Sequence, residues 1–161
     1  MNSNNNFTRA QQTALIILRF LIGWHLLYEG FSKLLIPNWS SLSFLQESKW
    51  ILSGFSEWII NNSSVLRTVD FLNTWGLIAL GLALIIGLFT KAASICGAAL
   101  LFIYYLNNPP LIGLEYTLPS EGNYLIVSKT LIEAFALVVL AVFPSGKFFG
   151  LDMLIRKRRE K

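Results

Sequence analysis

The chain has 161 residues, 54 % of them hydrophobic and only 14 % charged. A soluble domain carries about a quarter charged residues, and a chain this short keeps too much surface per volume to hide so much apolar area from water. The net charge of +4 comes largely from one tail, Arg156, Lys157, Arg158, Arg159 and Lys161, directly after an apolar segment, which excludes a nucleic-acid-binding patch and fits a cytoplasmic membrane anchor.

The first apolar segment covers about 13–36. Its length suits a bilayer core of ~30 Å, which needs roughly 20 helical residues. It exceeds a signal-peptide core and follows a polar start, Asn2 to Asn6, so it reads as a retained helix. Pro37 and Asn38 end it. The stretch 39–70 mixes Phe44, Leu45, Ile51, Leu52, Phe55, Trp58 and Ile59 with Gln46, Glu47, Lys49, Ser53 and Glu57. That pattern predicts one or two amphipathic helices at the interface, with Trp39, Trp50 and Trp58 as anchors.

The second span is predicted at about 73–89, with Gly76, Gly81 and Gly87, and the third at about 93–106, with Gly97, Ala98 and Ala99. Thr90, Lys91 and Ala92 form a short turn between them, so the two read as an antiparallel hairpin with small-residue faces for close packing. Asn107, Asn108, Pro109 and Pro110 end the third span. The following loop carries Glu115 and Glu121. The last span is predicted at about 124–143, closing on Pro144, Ser145 and Gly146, with a short amphipathic piece from Phe148 to Ile155 before the tail. Tyr104 and Tyr105 read as interfacial anchors. The expectation is one all-α domain, an integral membrane four-helix bundle with an amphipathic interfacial segment between its first two spans. Arg9, Lys91 and Lys147 fall on one side of four spans, placing both termini in the cytoplasm by the positive-inside rule.

Ionisable residues inside such spans are costly, and they mark either mutual pairing or function. At about 100° per residue, Arg19, His25, Glu29 and Lys33 share an arc of about 120° on the first span, and the last three are spaced for direct pairing. Lys129 and Glu133 repeat the i, i+4 spacing in the last span. Two readings follow. In one, the first and last spans enclose a polar pocket for a quinone or other lipid-like headgroup, ligated by Arg19, His25, Glu29, Lys33, Lys129 and Glu133. Arg19 then pairs with Glu133, and His25, Glu29 or Glu133 handles a proton. In the other, the charges only neutralise one another and set helix register. Cys96 and His25 are the only residues of their kinds, which argues against a metal site and against thiol chemistry within the chain.

Three stretches, "LRFLIGWHLLYEGFSKL", "LNTWGLIALGLALIIGLFTKAAS" and "VFPSGKFFGLD", resemble the DoxX family of small bacterial membrane proteins. The resemblance spans about 18–152. It rests on Arg19, Gly23, Gly30 and Lys33 in the first span, on Gly76, Gly81, Gly87, Thr90 and Lys91 around the second, and on Gly150 and Asp152 at the end. It implies a four-helix bundle in the bacterial cytoplasmic membrane, similar to the small subunit of thiosulfate:quinone oxidoreductase. The expected partners are the bilayer and other membrane or periplasmic subunits, with a homo-oligomer also open. No motif for flavin, haem or iron–sulfur ligation is present, so any redox chemistry needs a partner's cofactor or a quinone. The competing expectation is a non-catalytic scaffold or assembly factor that docks through 39–70. A transporter fits less well, because no internal repeat is visible.

Overall fold

The computed structural model describes residues 7–117, 123–143, 145–153 and 155. The polar start Asn2–Asn6, Glu121, Pro144 and the basic tail from Arg156 lie outside them.

The chain is mostly helical. Helix α1 covers Arg9–Leu35, α2 Leu42–Gln46, α3 Ser53–Asn61, α4 Ser63–Ile86, α5 Thr90–Asn107 and α6 Lys129–Val142. A two-stranded antiparallel hairpin, β1 (Asn123–Tyr124) and β2 (Val127–Ser128), precedes α6, and a 3-10 turn at Ser145–Lys147 follows it. Two of the helices, α1 and α4, are long and apolar enough to cross a membrane.

Local chemistry explains the boundaries. Thr8 opens α1 with a capping box: its hydroxyl accepts from the Gln11 N–H, and its own N–H donates to Gln11 Oε1. Pro37 forces Ile36 into an extended conformation, which stops α1. Gly87, at φ +71°, takes the left-handed C-terminal position of α4, and the Leu88 N–H reaches back to the Ala83 carbonyl. The Ser128 hydroxyl accepts from the Leu131 N–H and starts α6.

Three boundaries differ from the sequence expectation: Thr90, Lys91 and Ala92, read as a turn, open α5, and the turn falls at Gly87–Phe89, where Gly87 takes the left-handed position. The second long helix begins at Ser63, not near 73. Arg67 and Asp70 made that stretch look like loop, yet both are helical, and the Asp70 carboxylate accepts from the Ser41 N–H at 2.8 Å and the Ser41 hydroxyl at 2.5 Å. The last helix begins at Lys129, not 124. Leu125 sits at φ +56° in the tight turn of the β-hairpin, so the apolar run there cannot be helical. The stretch 39–70 does hold two short helices, α2 and α3.

Helices α1 and α4 form one intimate antiparallel pair, and α5 and α6 form the other. Contact between α4 and α5 is sparser, and between α1 and α6 sparser still. The glycines therefore do not build the expected α4–α5 face. A Cβ on Gly81 would stand 2.6 Å from the Leu27 nitrogen of α1, and one on Gly97 would stand 3.0 Å from Leu137 Cδ1 of α6. The two pairs meet over a shared core that includes Ile22, Leu26, Leu77, Leu84, Leu101, Leu137 and Leu140. The outward faces are just as apolar: Phe20, Trp24, Phe71, Trp75, Phe102, Ile132 and Phe135 are all exposed.

Candidate functional site

The ionisable face of α1 divides into two neighbourhoods. Arg19, 2 % exposed, lies at the end where α1 begins and α4 turns into α5. Its Nη1 donates to the Phe149 carbonyl at 2.8 Å and to Ser145 Oγ at 3.4 Å. Beside it, the Asp152 carboxylate accepts from the N–H of Phe89 at 2.7 Å, the N–H of Thr90 at 2.9 Å and the Thr90 hydroxyl at 2.6 Å. Asp152 thus caps the first turn of α5 and supports Phe89, which is held at φ +48°. Its own N–H donates to the Gly87 carbonyl at 2.9 Å. A Cβ on either Gly87 or Gly150 would come within 2.8 Å of the other's Cα, so only glycine allows this closure. Arg19, Gly87, Thr90, Gly150 and Asp152, taken from three separate stretches, therefore form one clamp.

The expected Arg19–Glu133 pair is not formed. Arg19 lies six residues, about 9 Å of helix rise, before His25, and it is His25 that faces α6. His25 Nδ1 is 2.7 Å from Glu133 Oε1. With Glu133 ionised, the imidazole donates through Nδ1 and turns Nε2 away from the carboxylate. Glu133 is the fifth residue of α6, nearer the helix start than the sequence spacing suggested. Its side chain is 14 % exposed against 41 % for His25, so the histidine forms the open side of the pair.

One and two turns further along α1, Glu29 Oε2 accepts from Lys33 Nζ at 2.9 Å, and the Lys33 ammonium lies 5.3 Å from the Trp39 ring centre. Lys129, exposed at the start of α6, is near enough for its charge to act on both His25 and Glu29. The structure thus gathers His25, Glu29, Lys33, Lys129 and Glu133 along one seam and leaves Arg19 out. Next to that seam a groove of about 310 Å³ runs between α1 and α6. Leu18, Leu21, Ile22, Ile132 and Ala136 form its walls with Lys129 and Glu133, and nearly all of its surface is apolar. An apolar groove of this kind is suited to the hydrocarbon part of a lipid-like molecule, and the histidine–carboxylate pair beside it can pass a proton.

Two tyrosines expected at an interface turn inward. Tyr105 is buried and donates to the Ile126 carbonyl at 2.8 Å, which ties α5 to the β-hairpin. Tyr104 donates to Asn73 Oδ1 at 2.8 Å between α5 and α4. Beside Tyr104 lies a second, partly open cavity of about 360 Å³, between α3, α4 and α5. Nothing in the sequence pattern signalled it, because its lining is ordinary helix-face residues.

The chain was compared with family models, curated proteins and solved structures, and none of the three comparisons gives a match.

Proposed function

We propose that this chain is a multi-pass membrane subunit of an oxidoreductase complex, of the DoxX type, that binds a quinone or a similar lipid-like headgroup at the seam between α1 and α6. The membrane reading draws on the inverted distribution of polarity. Within the long helices Arg19, Lys33 and Glu133 are turned inward, while Phe20, Trp24, Phe71, Trp75, Phe102, Phe135 and Val139 point outward. A water-soluble bundle shows the opposite pattern. On this reading α1, α4, α5 and α6 each cross. The start of α1, the α4–α5 turn with Lys91, and Lys147 share one end, because Phe7 packs on Phe143 and Phe148 and because Asp152 caps α5. The positive-inside rule makes that end cytoplasmic.

The observation that carries the functional reading is the 2.7 Å His25–Glu133 contact bordering a lateral, apolar-walled groove. A quinone ring placed there would lie against Glu133, with His25 hydrogen-bonded to that carboxylate beside the groove. Reduction to the quinol takes two electrons and two protons. The protons pass along this pair, and the electrons come from a redox centre in a partner subunit. The test is quinone content and quinone-linked electron transfer in the purified complex. His25→Gln and Glu133→Gln should each slow turnover at least tenfold with the complex intact. Unchanged turnover in both variants would overturn the reading.

A second reading, a non-catalytic scaffold, draws on the outward Trp50, Ile51, Phe55 and Trp58 of the α2–α3 segment, a surface suited to docking a neighbouring subunit. It expects a stable partner, recovered in native lipid, that survives neutral substitution of His25, Glu29, Lys33, Lys129 and Glu133.

A further inference from the structure

We infer that the gap between α4 and α5 is a binding chamber for the hydrocarbon chain of a membrane lipid, with α2 and α3 as its lid. The tight turn at Gly87–Thr90 joins α4 and α5 at one end. Toward the other end the Tyr104–Asn73 hydrogen bond bridges them, and the protein's own side chains leave a cavity of about 360 Å³ there, under α3. Protein interiors are packed at crystal-like density, and their voids are seldom larger than a water molecule. A space of this volume lies instead in the range of small-molecule sites.

Its height is set by polar ties and not by loose packing. The Ser41–Asp70 hydrogen bonds fix the start of the lid to α4. At the other side, Ser56 donates to Asn107 Oδ1 at 2.8 Å, and Asn107 Nδ2 donates to the Phe44 carbonyl at 3.1 Å, which fixes α2 and α3 to α5. These ties hold the lid clear of both long helices.

The lining defines the ligand. Among the described residues no charged side chain borders the chamber, and Tyr104, Asn73, Ser56 and Asn107 already satisfy one another in pairs. An anion, a cation or a sugar would lose its water without replacement, whereas an apolar chain loses nothing. The route of entry is equally apolar. Phe55, Trp58, Leu72 and Ile103 line the chamber and are also exposed on the outside of the bundle, so a chain enters sideways from the hydrocarbon region. The volume admits part of one molecule and leaves a polar headgroup outside. An acyl chain of a phospholipid and an isoprenoid chain share this chemistry. The inference rests on the membrane placement proposed above but not on the α1–α6 chemistry, since the chamber lies at the other junction between the two helix pairs.

The full chain, extracted in mild detergent, is washed and its retained lipid identified by mass spectrometry. The wild type should retain one chain-bearing species, acyl or isoprenoid, in addition to any quinone held at the α1–α6 seam, and its identity names the source. Leu72→Trp and Ile103→Trp fill the chamber and should lower retention at least fivefold. Ile112→Trp, on an exposed loop, and His25→Gln should retain it, which separates this outcome from any failure of the quinone reading. Equal retention in the filled variants and the wild type overturns the chamber. A second measurement needs no filled variant. In nanodiscs containing chain-brominated phosphatidylcholine, the Trp58 share of emission, taken as wild type minus Trp58→Phe, should be half-quenched at a severalfold lower brominated fraction than the Trp24 share. Equal quenching of the two shares also overturns it.

Discussion

Gly81 of α4 lies directly against the backbone of Leu27 in α1, so closely that an added Cβ would stand 2.6 Å from the Leu27 nitrogen and 2.8 Å from its Cα. Rigid backbone is the neighbour here, and no flexible side-chain tip can give way. Gly81→Ala should therefore push α1 and α4 apart and cost about 1–3 kcal/mol, as overpacking does. Gly76, in the same helix, has open space where its Cβ would be. Gly76→Ala should stabilise by up to about 1 kcal/mol through helix propensity alone. Thermal unfolding of the two variants in one detergent checks the opposite signs.

Arg19→Met should keep most of the buried volume and lose the hydrogen bonds to Phe149 and Ser145. A hydrogen bond from a charged group contributes about 1.5–3 kcal/mol, and the loss should concentrate at one end of the molecule. Hydrogen exchange at 145–153 should rise severalfold before global unfolding does.

Asp152→Ala should remove the acceptor shared by Phe89 and Thr90. The cost is that of a lost helix cap, about 1–2 kcal/mol, because the first amides of α5 are orphaned and the left-handed Phe89 loses its support. Asp152→Asn, which keeps one acceptor oxygen, should cost less. Thermal unfolding ranks the two.

Acid should release the loop 111–117 from α2. The Glu47 carboxyl is held below its ordinary value, chiefly by the Thr117 hydroxyl, then by the Thr117 N–H, with a smaller contribution from Lys49; desolvation opposes the shift. A depressed folded-state value means that the tie is fully present above the unfolded-state value of about 4.5 and is lost as pH falls through the folded one. Amide exchange at Thr117 should accelerate below that range in the wild type. In Glu47→Gln it should stay independent of pH once corrected for intrinsic exchange.

Sequence reasoning reads helices well where periodicity and punctuation agree. The extent of α1 follows from an apolar stretch ended by Pro37, and the body and end of α5 from the run before Pro109, although Thr90, Lys91 and Ala92, read as the turn, are its first residues. It failed where polarity and conformation parted. Arg67 and Asp70 look like loop residues, but a helix can carry them on a face turned to solvent or to the lid. The run at 124–128 looks helical, but pairing of Tyr124 with Val127 makes it a hairpin. Within the site, the shared face of His25, Glu29 and Lys33 was legible from angular spacing. The partner of Arg19 was not, because it is a backbone carbonyl 130 residues away, and no residue type marks a carbonyl. Glu133 was legible as a partner for α1, and only its depth and its choice of His25 over Arg19 required coordinates.

The clamp at Arg19 also orders events in time. Ribosomes add about 5–20 residues per second, so the 130 residues between Arg19 and Phe149 take on the order of 10 s to emerge. For the last part of that interval α1 and α4 exist without the turn that closes over the guanidinium, and Arg19 gains its Ser145 and Phe149 acceptors only when that turn has been made.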